Sequence, residues 1–216
     1  MQYDQHTLEL APECAMCYVD AIKPVWQNAE NTCHLFKFST GEYIDYTFAG
    51  TEDIEEWLVD FYAVQEDVHD HPDFGPVHKG LWDNTKDAIQ FMLSDVQGQG
   101  WPKVRCGGHS KGGGNARLAA AAFRSLGRPF AALRLFEPPM VGTKALSFLL
   151  SDTDVAWTQS YNASGKDVVT EVPFWGEFEQ SGVLISLQVP DDADVATKHK
   201  IPALLTSLGL PPIAGD

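Results

Sequence analysis

The segment Gly108-His109-Ser110-Lys111-Gly112 constrains this chain more than any other. It has the form G-x-S-x-G. That pattern sets a serine on a sharp strand-to-helix turn, with its hydroxyl above a sheet. Glycines flank the serine because the chain turns too tightly there for a Cβ. Alone, the pattern is weak in a chain with 18 glycines. Its surroundings strengthen it. Val104-Arg105-Cys106 has strand character, and Asn115 to Leu126, with Ala119 to Ala122 inside, has helix character. The competing reading is a glycine-rich loop opening a helix over a phosphate. Neither G-x-G-x-x-G nor the P-loop pattern is present to support it.

Hydrophobic periodicity organises the rest. Leu8 to Val25 reads as mostly helical, up to the Pro24 region. His34 to Phe38 and Tyr43 to Phe48 read as strands joined by a turn at Ser39-Thr40-Gly41-Glu42. Ile54, Trp57, Leu58, Phe61 and Tyr62 share one face of a helix, expected to pack permanently on the sheet rather than act as a lid. Val64 to Val77, with Pro72, Gly75 and Pro76, reads as a long loop, and Trp82 to Val96 as a helix. Phe130 to Phe136, Val155 to Tyr161 and Val183 to Val189 read as strands, the last paired with Phe174 to Phe178. Ile201 to Leu208 reads as a closing helix with Pro202 in its first turn. Strands alternating with helices imply a mostly parallel central sheet with helices on both faces. The expectation is a single α/β domain over residues 1–216.

The formal net charge of -15 repels phosphate backbones and anionic lipid surfaces, so nucleic acid is not an expected partner. No apolar run approaches the roughly 18 residues of a transmembrane helix. The N-terminus Met1-Gln2-Tyr3-Asp4-Gln5-His6 lacks a basic region followed by an apolar stretch. A cytoplasmic protein, or one released without a visible signal peptide, is expected. Cys14, Cys17, Cys33 and Cys106 are then expected to be reduced. Cys14-x-x-Cys17 with the adjacent pair Cys33-His34 fits tetrahedral zinc poorly. His69-Asp70-His71 lies in the Pro-rich loop and reads as solvated. No metal or cofactor is expected, and the sequence sets no oligomeric state.

A serine hydroxyl is a weak nucleophile; it needs an imidazole to take its proton and a carboxylate to fix that imidazole. Behind a nucleophile elbow the partners follow in the order Ser, Asp or Glu, His. Of seven histidines only His199 lies downstream of Ser110, so order selects it. Asp167 follows strand 155–161 across a tight turn, which puts it at a carboxyl end of the sheet; Glu137, ending strand 130–136, is the alternative acid. Oxyanion donors are expected from the backbone of Lys111 and from Gly50-Thr51, with the Thr51 hydroxyl as a further donor.

At this point the chain resembles the class 3 lipases, a branch of the α/β-hydrolases. Phe48-Ala49-Gly50-Thr51 resembles the family's oxyanion segment F-R-G-T/S, and Ile54-x-x-Trp57-Leu58-x-Asp60 the helix after it. Val77-His78-x-Gly80 is similar to its V-H-x-G-F. Gly108 to Gly113 is similar to G-H-S-L-G-G, and Phe136-Glu137-Pro138-Pro139-Met140-Val141-Gly142 to F-G-x-P-R-V-G. Asn162 and Asp167-Val168-Val169-x-x-Val172-Pro173 resemble N-x-x-D-P-V-x-x-x-P. Six weak pieces in the correct order make a strong one. Departures are Ala49 for Arg, Lys111 for Leu, Val168 for Pro, and Arg105 in a strand that is normally apolar.

The resemblance implies an α/β-hydrolase fold and a serine hydrolase that cleaves carboxylic esters, a lipase or esterase. An acyl-enzyme would form on Ser110, with His199 and Asp167 completing the triad. The partner would be a small-molecule or lipid ester. The same triad could instead serve thioesters, phospholipids or acylated polysaccharide, or the fold could be a binding module with a vestigial triad. Trp175 is the tryptophan expected to line an acyl pocket. Little rate enhancement at a lipid interface is expected.

Overall fold

The computed structural model describes residues 3–39, 41–51, 64–173 and 177–213. The helix expected from Ile54 to Tyr62, with Trp57, and the expected pocket residue Trp175 lie outside the described residues. In chain order the elements are α1 (Gln5–Met16), β1 (Trp26–Gln27), β2 (His34–Ser39), β3 (Ile44–Phe48), β4 (Gln65–Asp67) and β5 (Pro76–His78). Then come α2 (Lys79–Gly98), β6 (Val104–His109), α3 (Lys111–Ser125), β7 (Phe130–Phe136), α4 (Lys144–Leu149), β8 (Asp154–Asn162) and β9 (Gly165–Lys166). The last elements are β10 (Val183–Gln188), α5 (Val195–Lys198) and α6 (Ile201–Ser207).

One sheet runs β1-β2-β3-β6-β7-β8-β10, with β9 paired to β8. The step from β3 to β6 and those onward to β10 are parallel; β1, β2 and β3 are antiparallel to one another. Side chains alternate along a strand, so each parallel strand serves both faces. Along β6, Arg105 reaches α1 while Cys106 joins the core under α2 and α3; a Cβ on Gly107 would meet Cys14 of α1, and one on Gly108 would meet Gly112 of α3. The odd-numbered residues of β6 therefore face α1. Two apolar clusters follow from this. One holds Val104, Leu118, Leu133 and Leu135 with α2 and α3; the other holds Leu10, Cys14 and Phe136 with Leu204 and Leu205 of α6.

Arg105, out of place in an apolar strand, is explained by its neighbours. It stands opposite Asp45 in the β3–β6 register. Its Nε and Nη2 donate to the two Asp45 carboxylate oxygens at 2.7 and 2.6 Å, and Nη1 donates to Glu9 of α1. Both Arg105 and Asp45 are fully buried. A bidentate pair of this kind satisfies the geometry that makes a buried charge tolerable. Burial and the neighbouring Asp45 carboxylate push Glu13 up to about 8.

Three sequence expectations are corrected. The first helix stops at Met16 rather than running to Val25: Tyr18 turns back to bond Ala15 O (3.1 Å), and its side chain is used elsewhere. Residues 64–77 are not one loop; β4 and β5 pair antiparallel, with Phe74 and Val77 buried beside them. Helix α2 starts three residues before Trp82, because His78 Nδ1 accepts the Leu81 N–H (3.2 Å) as its N-cap. Burial lowers His78 to about 4, which keeps the ring neutral and able to accept. Strand β10 pairs in parallel with β8 through six register partners; Phe174 to Gly176, most of the segment expected to pair with it, lie outside the described residues. Periodicity marks a strand and cannot name its neighbour.

Candidate active site

Ser110 stands between β6 and α3 with φ 56° and ψ −131°, outside the regions favoured by a residue with a Cβ. Such strain persists where the surroundings over-determine it. The surroundings are the glycines. A Cβ on Gly108 would lie 2.2 Å from Gly112 O, and one on Gly112 would lie 2.1 Å from Phe48 O. No side chain fits at either position, so the flanking glycines of the motif are a steric necessity. The serine backbone is pinned on both sides: its N–H donates to Phe136 O (2.8 Å) and its C=O accepts from Gly113 (2.8 Å). Lys111 is the first residue of α3, so its N–H has no carbonyl within the helix. Its ammonium donates instead to Thr32 O at 2.6 Å.

The structure brings Asp167 and His199 together from 32 positions apart in the chain. Asp167 follows β9; its N–H donates to Ser160 O (2.8 Å), and its Oδ1 accepts from Val169 N–H (3.0 Å). Its Oδ2 accepts from His199 Nδ1 at 2.6 Å, with both residues buried. His199 sits between α5 and α6. Lys198 beside it is also buried, and its ammonium donates to Asn162 Oδ1, Ser164 Oγ and Gly165 O at 3.1 to 3.3 Å. Asn162 Nδ2 in turn donates to Pro190 O and Ala193 O. The hairpin carrying Asp167 and the segment carrying His199 are thus stapled by one amide and one cation. With Nδ1 bound to the carboxylate, His199 Nε2 is the free nitrogen. It and Ser110 Oγ are both buried and have no hydrogen-bond partner among the described residues.

Two further residues complete the site, and the sequence reading gave neither this role. His109 faces the α1 side, as the β6 alternation requires. Its Nε2 lies 2.7 Å from His199 O, and its Nδ1 lies 2.9 Å from Tyr18 Oη. A carbonyl only accepts, so Nε2 carries the proton. Burial lowers the ring to about 4, so it is neutral and Nδ1 accepts. Tyr18 O–H must then donate to Nδ1, while its oxygen accepts from Gly50 N–H at 3.0 Å. A Cβ on Gly50 would lie 2.5 Å from Tyr18 Oη, 2.7 Å from His109 O and 3.0 Å from Ser110 Cβ. One hydrogen-bonded chain, Gly50 to Tyr18 to His109 to His199, therefore spans the segment expected to bind an oxyanion, the elbow and the base. Thr51, half-buried, follows Gly50 directly. Strand alternation was the available signal for His109; nothing in the sequence marks Tyr18.

Glu137, the alternative acid, is also here. It is fully buried with φ 53°. Its Oε1 accepts from Ser160 Oγ, and its Oε2 lies 3.6 Å from His199 Nδ1 and 3.5 Å from His109 Nε2. These three residues offer ligand-type atoms within 4.8 Å of one another. The His109 and His199 nitrogens that face Glu137 already donate to His199 O and Asp167, so the cluster is held by hydrogen bonds.

A largely parallel sheet, helices on both faces and a serine on a strained strand-to-helix elbow define the α/β-hydrolase architecture. Within it, the chain belongs to the class 3 lipase family, whose model matches residues 46–177. His199 lies beyond the matched stretch, so its place in the site rests on geometry. Solved structures with the same fold include a lipase–propeptide complex from Rhizomucor miehei, 21% identical, with a TM-score of 0.67 over 88% of this chain and 69% of that one. A lipase from Rhizopus microsporus var. chinensis is 22% identical, with a TM-score of 0.65 over 90% and 77%. A triacylglycerol lipase from Penicillium expansum is 13% identical, with a TM-score of 0.67 over 95% and 87%. No curated protein sequence matches the chain. No helix among the described residues is long and apolar enough to cross a membrane.

Proposed function

We propose that the protein hydrolyses carboxylic esters, lipid esters included, through an acyl-enzyme on Ser110. The observation that carries this reading is the 2.6 Å bond from His199 Nδ1 to the buried Asp167. It fixes the tautomer that leaves Nε2 unprotonated and free to act as a base. In the first half-reaction His199 Nε2 takes the Ser110 hydroxyl proton as Oγ bonds to the ester carbon. The negative charge that develops on the carbonyl oxygen falls to the N–H of Lys111, helped by the helix dipole of α3, and to the Thr51 backbone and hydroxyl. The imidazolium then protonates the leaving alcohol. In the second half-reaction the same nitrogen activates water, which releases the acid and restores Ser110.

Two measurements test it together. A fluorophosphonate probe labels an activated serine, so wild type should label and Ser110→Ala should not. A panel of esters of graded chain length should be turned over by wild type and not by Ser110→Ala. A wild type that neither labels nor turns over any ester of the panel would mean a vestigial triad and a binding role for the fold.

A further inference from the structure

We propose that Glu137 is a second carboxyl partner of His199, a positioning residue whose ionisation adds a negative charge to the Nδ1 side of the imidazole beside Asp167. The inference rests on the hydrolase reading for its effect on rate, and on geometry alone for its effect on the ring.

Glu137 is a costly residue where it stands. Its backbone has φ 53°, a conformation suited to glycine. Its carboxyl is wholly buried, where an ionised group is penalised. A buried carboxyl with no role would be expected to have both oxygens satisfied. Instead Oε1 takes the Ser160 hydroxyl, while Oε2 has no hydrogen-bond partner among the described residues. That oxygen faces two N–H groups, His199 Nδ1 at 3.6 Å and His109 Nε2 at 3.5 Å. Both nitrogens donate elsewhere, to Asp167 and to His199 O, so Oε2 stands beside two imidazole N–H groups without a bond from either.

The groups around Glu137 come from four elements. From the end of β6 it meets His109, which burial keeps neutral. From β8 it meets Ser160, and Thr158 Oγ1 accepts its backbone N–H (3.0 Å). After β9 stands the Asp167 carboxylate, and between α5 and α6 stands His199. Burial raises Glu137 to about 8; His199 draws it down, Asp167 pushes it up, and the Ser160 bond draws it down. At neutral pH the carboxyl therefore holds its proton, and Asp167 alone accepts from the ring. Above about 8 the proton leaves to solvent. The ring then has two carboxylates, one at 2.6 Å and one at 3.6 Å. A second negative charge favours the imidazolium that forms when Ser110 gives up its proton.

The rate consequence is an alkaline limb. As Glu137 ionises, kcat should rise by about tenfold, the equivalent of one unit of interaction between two titrating groups. Glu137→Gln keeps the shape and cannot ionise, so its profile should lack that limb. Asp167→Asn should recover part of its lost activity as pH rises, with a midpoint below that of wild type because the Asp167 charge that pushes Glu137 up is gone; Glu137 then supplies the only carboxylate on the ring. The double variant Asp167→Asn, Glu137→Gln should recover none.

A second readout needs no turnover. In Ser110→Ala protein with ¹⁵N-labelled histidine, the His199 ring nitrogens should show an inflection near pH 8 that disappears on adding Glu137→Gln. His109, neutral down to about 4, cannot produce it. If that inflection is missing, or persists with glutamine at position 137, the proposal is overturned whatever the enzyme hydrolyses. If the inflection is present but no ester is turned over, the hydrolase reading fails and the pairing of Glu137 with His199 stands. Equal profiles for Asp167→Asn and the double variant would also overturn the proposal.

Discussion

Replacing Asp167 with asparagine tests the heart of the site, and the contacts of the carboxylate say what should happen. Asp167 accepts two N–H groups: His199 Nδ1–H on Oδ2 at 2.6 Å and Val169 N–H on Oδ1 at 3.0 Å. An asparagine has one acceptor oxygen and one donor nitrogen, so it cannot serve both. If its oxygen stays on Val169, its NH₂ faces Nδ1 and drives the ring proton to Nε2, where it blocks the base. If the amide flips, the NH₂ meets the Val169 N–H and a buried donor goes unpaired. The first arrangement loses the tautomer, the second about 1–3 kcal/mol of stability. The tautomer loss dominates the rate and should lower kcat by roughly 10⁴, about 5.4 kcal/mol in the barrier. The assay is kcat on a soluble short-chain ester at a pH below the ionisation of Glu137 in the variant, which lies lower than in wild type once the Asp167 charge is gone, with KM measured alongside. A loss of less than tenfold would refute the reasoning, and a larger loss from Glu137→Gln at the same pH would exchange the two acids.

Ser110→Ala should remove turnover by a factor on the order of 10⁶, with the thermal midpoint close to wild type; retained activity within tenfold would remove the serine from the mechanism. Tyr18→Phe breaks the chain between Gly50 and His109. It should cost about 1–3 kcal/mol of stability and lower kcat by about tenfold with little change in KM; an unchanged kcat would make the tyrosine purely structural. Asp45→Ala leaves Arg105 buried without its bidentate partner and should destabilise by about 3–5 kcal/mol in denaturant titration; a loss under about 1 kcal/mol would mean that Glu9, with His6 Nδ1 at 2.9 Å from Arg105 Nη1, suffices. Glu137 also makes stability depend on pH. An ordinary glutamate ionises near 4.5, and here burial holds the proton until about 8. Between those values the folded chain binds the extra proton, so wild type should lose stability as pH rises from about 4.5 to about 8 and level off above. Denaturation midpoints of wild type and Glu137→Gln should diverge across that window, and parallel curves would deny the shifted ionisation.

The local geometry was legible in the sequence because it is written in short-range terms. A G-x-S-x-G between a strand and a helix can be met by few backbones, since Gly108 and Gly112 have no room for a Cβ. Chain order singled out His199, and the position after strand 155–161 singled out Asp167; the two meet at 2.6 Å. Alternation of strands and helices gave the layered parallel sheet. What tertiary structure alone decided was partnership across distance. That β10 lies against β8, that Arg105 is matched by Asp45, and that Lys198 is buried beside His199 depend on which strands become neighbours. The chain linking Tyr18, His109 and Gly50 joins residues 32 and 91 positions apart and leaves no local trace. Glu137 shows the division most plainly. The sequence offered it as a rival to Asp167, a choice of one acid or the other. Packing placed both carboxyls beside the same imidazole, and burial beside a second carboxylate, a property of the folded interior, set the pH at which Glu137 carries charge.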